Sequence, residues 1–215
     1  MSLAPFIVLE GIDGTGKTTQ CRMLVDWLHA RNVTAIHCTD PGSTELGEQL
    51  RSILLDRKRQ FNLKAEALLF MASRSELVDK IIKPSLENNI VVICDRFLLS
   101  NVVYQGHAGG LDPEALWNIG NFSTDGIEPD LTFIFDLPVE QANLRRGKRT
   151  DRMEARDRDF QQRVREGFLI EANDRPDSLQ VIDSSGSVQE LHALLRYWVG
   201  GLLRRRGFHF PDGVP

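Results

Sequence analysis

The chain reads Gly11-Ile12-Asp13-Gly14-Thr15-Gly16-Lys17-Thr18, with Thr19 next, directly after the apolar run Phe6-Ile7-Val8-Leu9. These eight residues match G-x-x-x-x-G-K-[ST], the pattern of a loop that binds phosphate groups. The apolar run before them is typical of a buried parallel strand. Residues 18–29 carry apolar side chains at helical spacing, at Cys21, Leu24, Val25 and Leu28. Strand, loop and helix therefore follow one another in the order that a phosphate-binding loop requires.

The residue types of this loop suit an anion. Glycines let consecutive backbone N–H groups turn toward a phosphate without a Cβ in the way, and the start of a helix adds further free N–H groups. Lys17 supplies a positive charge for the β- and γ-phosphates, and the Thr18 hydroxyl is placed to bind Mg²⁺. The alternative is a Gly-rich turn before an ordinary helix, which the flanking strand and helix disfavour. We therefore expect nucleotide phosphates to bind at Gly11, Ile12, Asp13, Gly14, Thr15, Gly16, Lys17, Thr18 and Thr19.

Size and composition indicate an ordinary globular protein. The chain has 215 residues, 41% of them hydrophobic, and a net charge of −4, so we expect a single domain over 1–215 and no nucleic-acid partner. Cys21, Cys38 and Cys94 lack the spacing of metal ligands and are expected to be buried thiols in a reducing compartment. Because no stretch is long and apolar enough to span a membrane, we predict a cytoplasmic protein with no membrane partner.

Apolar strands and amphipathic helices alternate along the chain. Strands are predicted at 6–9, 33–38, 90–94, 131–137 and 179–183. Helices are predicted at 18–29, 46–55, 63–82, 98–104, 113–120, from 139 into 145–149, at about 158–173 and at 188–203. Ser43 or Thr44 is expected to cap the second helix, and Pro84 to stop the third. This alternation predicts an α/β fold in three layers, with a five-stranded parallel sheet and helices on both faces.

Ligands of such sheets bind beyond the carboxyl ends of the strands. This rule places the phosphate loop, Asp40 and the pair Asp95-Arg96 along one crevice, because each follows a predicted strand. The chain has no N-K-x-D segment for guanine and no D-x-x-G switch after its second strand, which disfavours a GTPase. An arginine-rich segment at about 143–157 suits a short lid that keeps water away from ATP, as in a small-molecule kinase.

Separate motifs then resemble one family, thymidylate kinase, from about Phe6 to Leu203. The phosphate loop with an acidic residue at Asp13 is similar to that of the family. Leu68-Leu69-Phe70-Met71-Ala72-Ser73-Arg74 resembles its thymine-binding helix. Asp95-Arg96-Phe97, with Ser100-Asn101, Tyr104-Gln105-Gly106 and Gly109-Gly110-Leu111, resembles its central signature, and Asp151-Arg152-Met153-Glu154 resembles the end of its lid. The resemblance implies a P-loop kinase that phosphorylates dTMP to dTDP with MgATP, in dTTP synthesis.

The resemblance also implies a thymine pocket. Phe70 and Arg74 lie four residues apart, hence on one helix face, where the ring can stack on the pyrimidine and the guanidinium can donate to a base carbonyl. The residues alone favour another interpretation, with Phe70 in the core and Arg74 in a surface ion pair. Tyr104 is expected against the sugar, where its bulk disfavours a ribose 2′-OH. Ser100, Asn101 and Gln105 complete the expected substrate pocket, although Tyr104, Asn101 and Gln105 could be ordinary polar residues of a helix surface.

Three charged residues are expected around the transferred phosphate. Arg96 would grip the acceptor phosphate, the alternative being a structural pair with Asp95. Asp95 is expected to hold Mg²⁺ from the second shell or through water, beside the Thr18 hydroxyl. Asp13 repels phosphates at its position, so we expect it to accept a hydrogen bond from the acceptor's 3′-OH or to lie near its phosphate. The nucleophile is an ionised phosphate oxygen and needs no general base. The protein must therefore position the phosphates and neutralise their charge, which we expect of Lys17, Arg96, Mg²⁺ and the lid arginines, with Asp13 as a further catalytic candidate.

Arginines of the lid are the remaining catalytic candidates. Some family members carry an arginine in the phosphate loop at the position of Gly14; this chain therefore resembles members that supply it from the lid. Arg145, Arg146, Arg149 and Arg152 are the candidates, spacing does not choose among them, and we predict Arg149 and Arg152. One departure concerns Cys38-Thr39-Asp40-Pro41-Gly42-Ser43-Thr44, where the family often shows T-R-E-P-G-G-T. Asp40 is expected to keep the donor–acceptor geometry without the missing arginine.

The resemblance further implies a homodimer, with apolar helix faces around 65–82 as a candidate interface, and adenine near Asp183-Ser184-Ser185-Gly186. Two other functions stay open from the residues. One is a kinase acting on deoxynucleosides, which an arginine that grips the acceptor phosphate disfavours. The other is a regulatory module that binds ATP without transferring phosphate.

Overall fold

A computed structural model describes residues 3–146, 151–153 and 156–208 of the chain. Its sheet has five parallel strands: β1 Phe6–Gly11, β2 Ala35–Thr39, β3 Val91–Asp95, β4 Leu131–Asp136 and β5 Leu179–Asp183. Their spatial order is β2-β3-β1-β4-β5, so β1 lies at the centre. All six residues of β1 are buried, as expected for a strand covered on both faces. The predicted five-stranded parallel sheet is confirmed.

Helices connect the strands. They are α1 Lys17–His29, α2 Glu45–Leu55, α3 Leu63–Leu77, α4 Lys83–Glu87, α5 Leu98–Asn101, α6 Pro113–Ser123, α7 Val139–Arg146, α8 Arg158–Asp174 and α9 Val188–Arg205. Two π-helical segments, Val78–Ile82 and Val102–His107, continue α3 and α5. None of the helices in the described ranges is both long enough and apolar enough to cross a lipid bilayer.

The core lies on both faces of the sheet, because side chains alternate along each strand. Ile7 and Leu9 of β1 pack with residues of α1 and α9 on one face. Phe6 and Val8 pack with residues of α3 and the π segment 78–82 on the other. The three predicted layers therefore follow directly from the alternation of this one central strand.

Pro84 does not stop the third helix, contrary to our prediction. The chain passes from α3 through the π segment Val78–Ile82 into α4, where Pro84 lies in the first turn. At the junction the Lys83 N–H donates to the Val78 carbonyl, five residues back. This wider π turn accommodates a proline that an uninterrupted α-helix would reject.

Other boundaries differ by smaller amounts. The segment predicted as a helix over 98–104 runs to His107 as α5 and its π continuation, and α6 extends to Ser123 rather than 120. Of the two candidate caps of α2, Thr44 is the one used: its hydroxyl accepts a hydrogen bond from the Gly47 N–H. These differences leave the carboxyl ends of the strands, where the crevice was predicted, unchanged.

Candidate active site

A cavity of about 690 Å³ opens at the carboxyl ends of β1, β2 and β3. Parallel register brings these ends together, since Asp95 on β3 is level with Leu9 on β1 and with Thr39 on β2. The cavity has the size of a site for a small organic ligand. Its lining includes the phosphate loop from Asp13 to Thr19, and Asp40, Phe70, Arg74, Asp95, Arg96, Ser100, Asn101, Tyr104, Gln105, Arg145 and Arg146. Among the described ranges, the structure thus brings the sequence-predicted site residues to the lining of one cavity, except Gly11, Ile12 and Arg152.

Glycines are obligatory at two positions of the phosphate loop. Gly11 has φ +130°, and a Cβ there would lie 2.6 Å from the Phe135 carbonyl oxygen. Gly14 has φ +89°, and a Cβ there would lie 2.3 Å from the carbonyl oxygen of Ala142 on α7. Any side chain at either position would therefore both strain the backbone and collide with it. The loop is consequently packed between β4 and the helix that leads into the lid.

Lys17 lies within this loop with its ammonium group turned toward the backbone. Its Nζ donates to the carbonyl oxygens of Gly11 at 3.0 Å and Ile12 at 2.8 Å. Burial, and then the nearby positive charge of Arg96, lower the pKa of Lys17 to about 8, although Asp13 and Asp95 oppose this shift. A phosphate anion beside Nζ would raise the pKa of Lys17 again.

Affinity for ATP is therefore expected to fall as the pH rises above about 8. A bound triphosphate raises the pKa of Lys17, so the complex keeps a proton that the free protein has lost, and binding weakens by up to about tenfold per pH unit. Calorimetric titration with a non-hydrolysable ATP analogue at several pH values tests this. Lys17→Met, which lacks the titrating amine, should bind weakly and without this slope. A wild-type affinity that does not change over the same range would contradict the prediction.

Thr18 and Asp95 form the candidate magnesium site. The Thr18 hydroxyl donates to a carboxylate oxygen of Asp95, so the first residue after Lys17 and the last residue of β3 are in direct contact. Oxygen donors of this kind are those that Mg²⁺ prefers, and it keeps several waters when it also binds phosphates. The two residues therefore fit the ion that the sequence predicted.

Arg96 is the centre of the hydrogen bonds on the acceptor side. It has φ +71°, and its guanidinium donates to the carbonyl of Gly11 at 2.8 Å and to Ser100 Oγ at 2.9 Å. It also donates to Asp13 at 2.5 Å and to the Tyr104 hydroxyl at 3.3 Å. Within the described residues its ion pairs are with Glu10 and Asp13 rather than with Asp95, the alternative considered from the sequence. Arg96 instead joins the phosphate loop to the helix that follows β3.

Two carboxylates hold Arg96 in place. Glu10, fully buried at the end of β1, accepts hydrogen bonds from the N–H groups of Phe97 and Ser100 and lies 3.9 Å from the guanidinium. Burial raises the pKa of Glu10. Burial would also raise that of Asp13, but Arg96, Lys17 and Arg146 lower the pKa of Asp13 below its ordinary value. Sequence reasoning missed Glu10, whose one signal was a charged residue at the end of an apolar strand.

Arg74 is buried, being only 1% exposed. Its Nε donates to Asp40 at 2.6 Å, Nη1 to Asn101 Oδ1 at 3.1 Å, and Nη2 to the Phe97 carbonyl at 3.3 Å. The surface ion pair considered from the sequence is thus an interior one, formed with the acid that follows β2. Phe70 and Arg74 both line the cavity, so the predicted helix face does meet the site.

Tyr104 lines the cavity and packs against α8. Its ring packs edge-on against Phe160 and Phe168 of α8, with centroid distances of 6.3 and 6.4 Å. Burial raises the pKa of Tyr104, so its hydroxyl stays protonated at physiological pH. Asn101 and Gln105 are buried rather than on a helix surface, and the Asn101 amide donates to Gln105 at 2.8 Å.

Arginines of the lid occupy different places. Arg146, at the end of α7, lines the cavity and lies 4.0 Å from the Asp13 carboxylate, while Arg145 donates to the carbonyls of Ser184 and Ser185. Arg152 lies elsewhere, donating to the Leu54 carbonyl at 2.8 Å and to Glu66 at 2.5 Å. Arg149 falls outside the described residues. Arg146 therefore lines the cavity, whereas Arg152, which was predicted to be catalytic, does not.

Glu66 on α3 is a buried carboxylate that the sequence analysis did not single out. It is 1% exposed, pairs with Arg152 at 2.5 Å and Arg156 at 3.4 Å, and accepts a hydrogen bond from Gln105 at 2.8 Å. The bonds continue from Gln105 to Asn101 and Arg74. Glu66 thus links two residues after α7 to the wall of the cavity. In the sequence, the one indication that Glu66 is buried is its position on the inner face of an amphipathic helix.

Glu66→Ala is expected to lower the free energy of unfolding by about 3 kcal/mol, because it removes the buried carboxylate with which Arg152 pairs. Denaturant unfolding followed by circular dichroism measures the change. Glu76→Ala, a less buried acid on the same helix, is the matched control and should change stability by less than about 1 kcal/mol. Equal effects of the two substitutions would argue against the Glu66 network.

A phosphate loop at the start of α1, an arginine after β3 that faces it, and an arginine-rich segment after α7 define the protein as a P-loop kinase. The sequence model of the thymidylate kinase family matches residues 9–195. The chain belongs to the thymidylate kinase family.

Known proteins that it resembles agree. It is 43% identical over 206 residues to a thymidylate kinase of Symbiobacterium thermophilum, covering 95% of this chain and 96% of that protein. It is 42% identical over 185 residues to one of Rhodopirellula baltica, covering 86% and 76%. The crystal structure of thymidylate kinase from Ehrlichia chaffeensis superposes with a TM-score of 0.75 at 34% identity, covering 91% of this chain and 98% of that one.

Proposed function

We propose that the protein transfers the γ-phosphoryl group of ATP to dTMP, giving ADP and dTDP in the supply of dTTP. Membership of the thymidylate kinase family supports the reaction. The observation that carries the site is the position of Arg96. It lines the same cavity as Lys17 and bonds to the phosphate loop at Gly11 and Asp13. A cation placed there can hold an acceptor phosphate in line with a donor phosphate.

The chain contributes positioning and charge to this transfer. The N–H groups of the phosphate loop and Lys17 bind the β- and γ-phosphates of ATP, and Arg96 binds the phosphate of dTMP. Mg²⁺, held by Thr18 and Asp95, supplies further neutralisation of the phosphates when bound. Asp13 keeps Arg96 oriented through its 2.5 Å hydrogen bond and stays ionised. An acceptor phosphate oxygen then attacks the γ-phosphorus, and the bond to the ADP oxygen breaks.

The thymine pocket is assigned to the other end of the cavity. Phe70 offers a ring to stack on the base, and Arg74 is held rigid by Asp40 and Asn101. Asp40 thus contributes by holding Arg74 in place. This role does not require the arginine that the family often has at the position of Thr39. Tyr104 is assigned to the deoxyribose, with Ser100, Asn101 and Gln105 nearby.

Adenine is assigned to the opposite side, near residues 183–186. Ser184, Gly186 and Ser187 line the cavity there, and Arg145 of α7 is bonded to this loop. We assign the reaction to the cytoplasm, where free buried thiols such as Cys21, Cys38 and Cys94 persist.

A coupled assay of ADP release tests the function. MgATP is offered with dTMP, dUMP, dCMP, dGMP or thymidine, and strong preference for dTMP over both dUMP and thymidine is expected. Turnover of thymidine but not dTMP would instead make the protein a nucleoside kinase and overturn the role of Arg96. Bound ATP without turnover of any acceptor would indicate a regulatory module.

A homodimer is the assembly that we assign to the chain. Exposed apolar side chains lie on α2, α3 and α6, at Leu46, Leu68, Ile119 and Phe122, and these helices pack side by side. Light scattering after size exclusion should give twice the mass of the 24.3 kDa chain. Leu68→Glu should produce monomers, whereas Tyr197→Glu, an exposed residue of α9, should not. Monomeric wild-type protein would contradict the assignment.

A further inference from the structure

A mixed cluster of metal ligands lies behind the phosphate site. Cys21 Sγ of α1, a ring nitrogen of His37 on β2 and a carboxylate oxygen of Asp95 on β3 all lie within 4.8 Å of one another. The three residues are far apart in the sequence and form no ligand motif. Strand register brings them together, because His37 is level with Ile93, two residues before Asp95.

The alternation of side chains along β2 and β3 determines which residues belong to the cluster. His37 and Asp95 point to the face of the sheet that α1 covers, since Ile93 on that face packs with Cys21. Cys38 and Cys94 point to the opposite face and pack with residues of α3. Only one of the three thiols therefore belongs to the cluster, and the other two flank it on the far side of the sheet.

A second observation concerns the hydrogen bonding of His37. The Nε2 atom of His37 is buried, and within the described part of the chain it has no hydrogen-bond partner. A buried imidazole nitrogen without a partner costs free energy, and a metal ion would supply that partner. His37 as a residue is partly exposed and lies on the edge strand β2.

The donor types point to zinc rather than magnesium. Magnesium prefers oxygen ligands, whereas a thiolate, an imidazole and a carboxylate together suit Zn²⁺. In a tetrahedral zinc site with usual bond lengths the ligand atoms are roughly 3.5 Å apart. The three ligand atoms, all within 4.8 Å of one another, are close to that spacing. The fourth position can be filled by water.

We propose that Cys21, His37 and Asp95 form a binding site for Zn²⁺, and that its occupation inhibits the enzyme. Asp95 accepts the hydrogen bond of Thr18 and faces the phosphate cavity. Zinc bound behind it therefore withdraws from Thr18 the carboxylate assigned to magnesium. The zinc site itself does not rest on the proposed function; only the inhibition does.

The first test measures metal binding to the full chain without nucleotides. The protein is stripped with a chelator and titrated with Zn²⁺ in competition with a chromophoric chelator, and then with Co²⁺. About one tightly bound zinc per chain is expected, together with a near-ultraviolet cobalt–thiolate band. His37→Ala and Cys21→Ser should weaken binding at least roughly tenfold. Cys38→Ser, the neighbouring thiol on the other face, should leave both signals unchanged.

The outcome that would overturn the site is zinc affinity unaffected by His37→Ala and Cys21→Ser, or a cobalt spectrum without the thiolate band. The inhibition is tested separately, by measuring phosphoryl transfer at fixed MgATP while Zn²⁺ is raised. His37→Ala should remain active and need at least roughly tenfold more zinc for the same inhibition. Equal sensitivity of the variant and the wild type would contradict the inhibitory role.

Discussion

Arg96→Ala is expected to lower kcat/KM for dTMP by roughly 10²- to 10³-fold. The substitution removes the cation that we assign to the acceptor phosphate, and it leaves Glu10 and Asp13 without their guanidinium partner. Truncating one member of a desolvated charge pair typically costs 2–5 kcal/mol, and each 1.36 kcal/mol is a factor of ten in rate. Steady-state kinetics with dTMP varied at saturating ATP gives the value directly.

Two further variants make this result specific. Arg96→Lys keeps the charge but not the planar fork that reaches Gly11, Asp13 and Ser100 together, so it should recover only part of the activity. Arg204→Ala, an exposed arginine of α9, should leave kcat/KM within about twofold. If Arg96→Ala kept kcat/KM within threefold of the wild type, the assignment of the acceptor phosphate to this residue would be wrong.

Arg146→Ala is expected to lower kcat by roughly 10²- to 10³-fold with little change in stability. Its guanidinium lines the cavity 4.0 Å from Asp13, and its side chain is only 9% exposed. Arginines that neutralise the transition state of phosphoryl transfer contribute effects of this size or larger. The close packing of Ala142 on Gly14 explains why the arginine comes from α7: a side chain in the loop itself would collide with the helix.

Arg152→Ala is the matched comparison, because it removes an arginine of the same lid. Arg152 pairs with Glu66 and donates to the Leu54 carbonyl, so its loss should lower the free energy of unfolding by about 2–3 kcal/mol and leave kcat within about fivefold. Single-turnover kinetics and denaturant unfolding of both variants separate the two roles. The reverse pattern, with Arg152 essential for kcat and Arg146 dispensable, would restore the prediction made from the sequence.

The sequence by itself determined the family and the class of fold. The phosphate loop can be predicted from the sequence because its function depends on eight consecutive residues, whose glycines and lysine act through local backbone geometry. The strands can be predicted because β1 and β3 are buried on both faces and are therefore apolar until the charged residues at their carboxyl ends, Glu10 and Asp95. The end of the third helix was predicted wrongly, because the sequence pattern did not predict the π turn that accommodates Pro84.

Only the tertiary structure decided which charged residues meet. The ion pairs of Arg74 with Asp40 and of Arg152 with Glu66 join distant parts of the chain, and Cys21, His37 and Asp95 come within 4.8 Å of one another in the same way. Sequence spacing carries no information about them, because strand order and register set those distances. The same reason explains the lid, where four arginines look equivalent in the sequence and yet, among those that the structure describes, Arg146 faces the phosphate loop while Arg152 lies against α3.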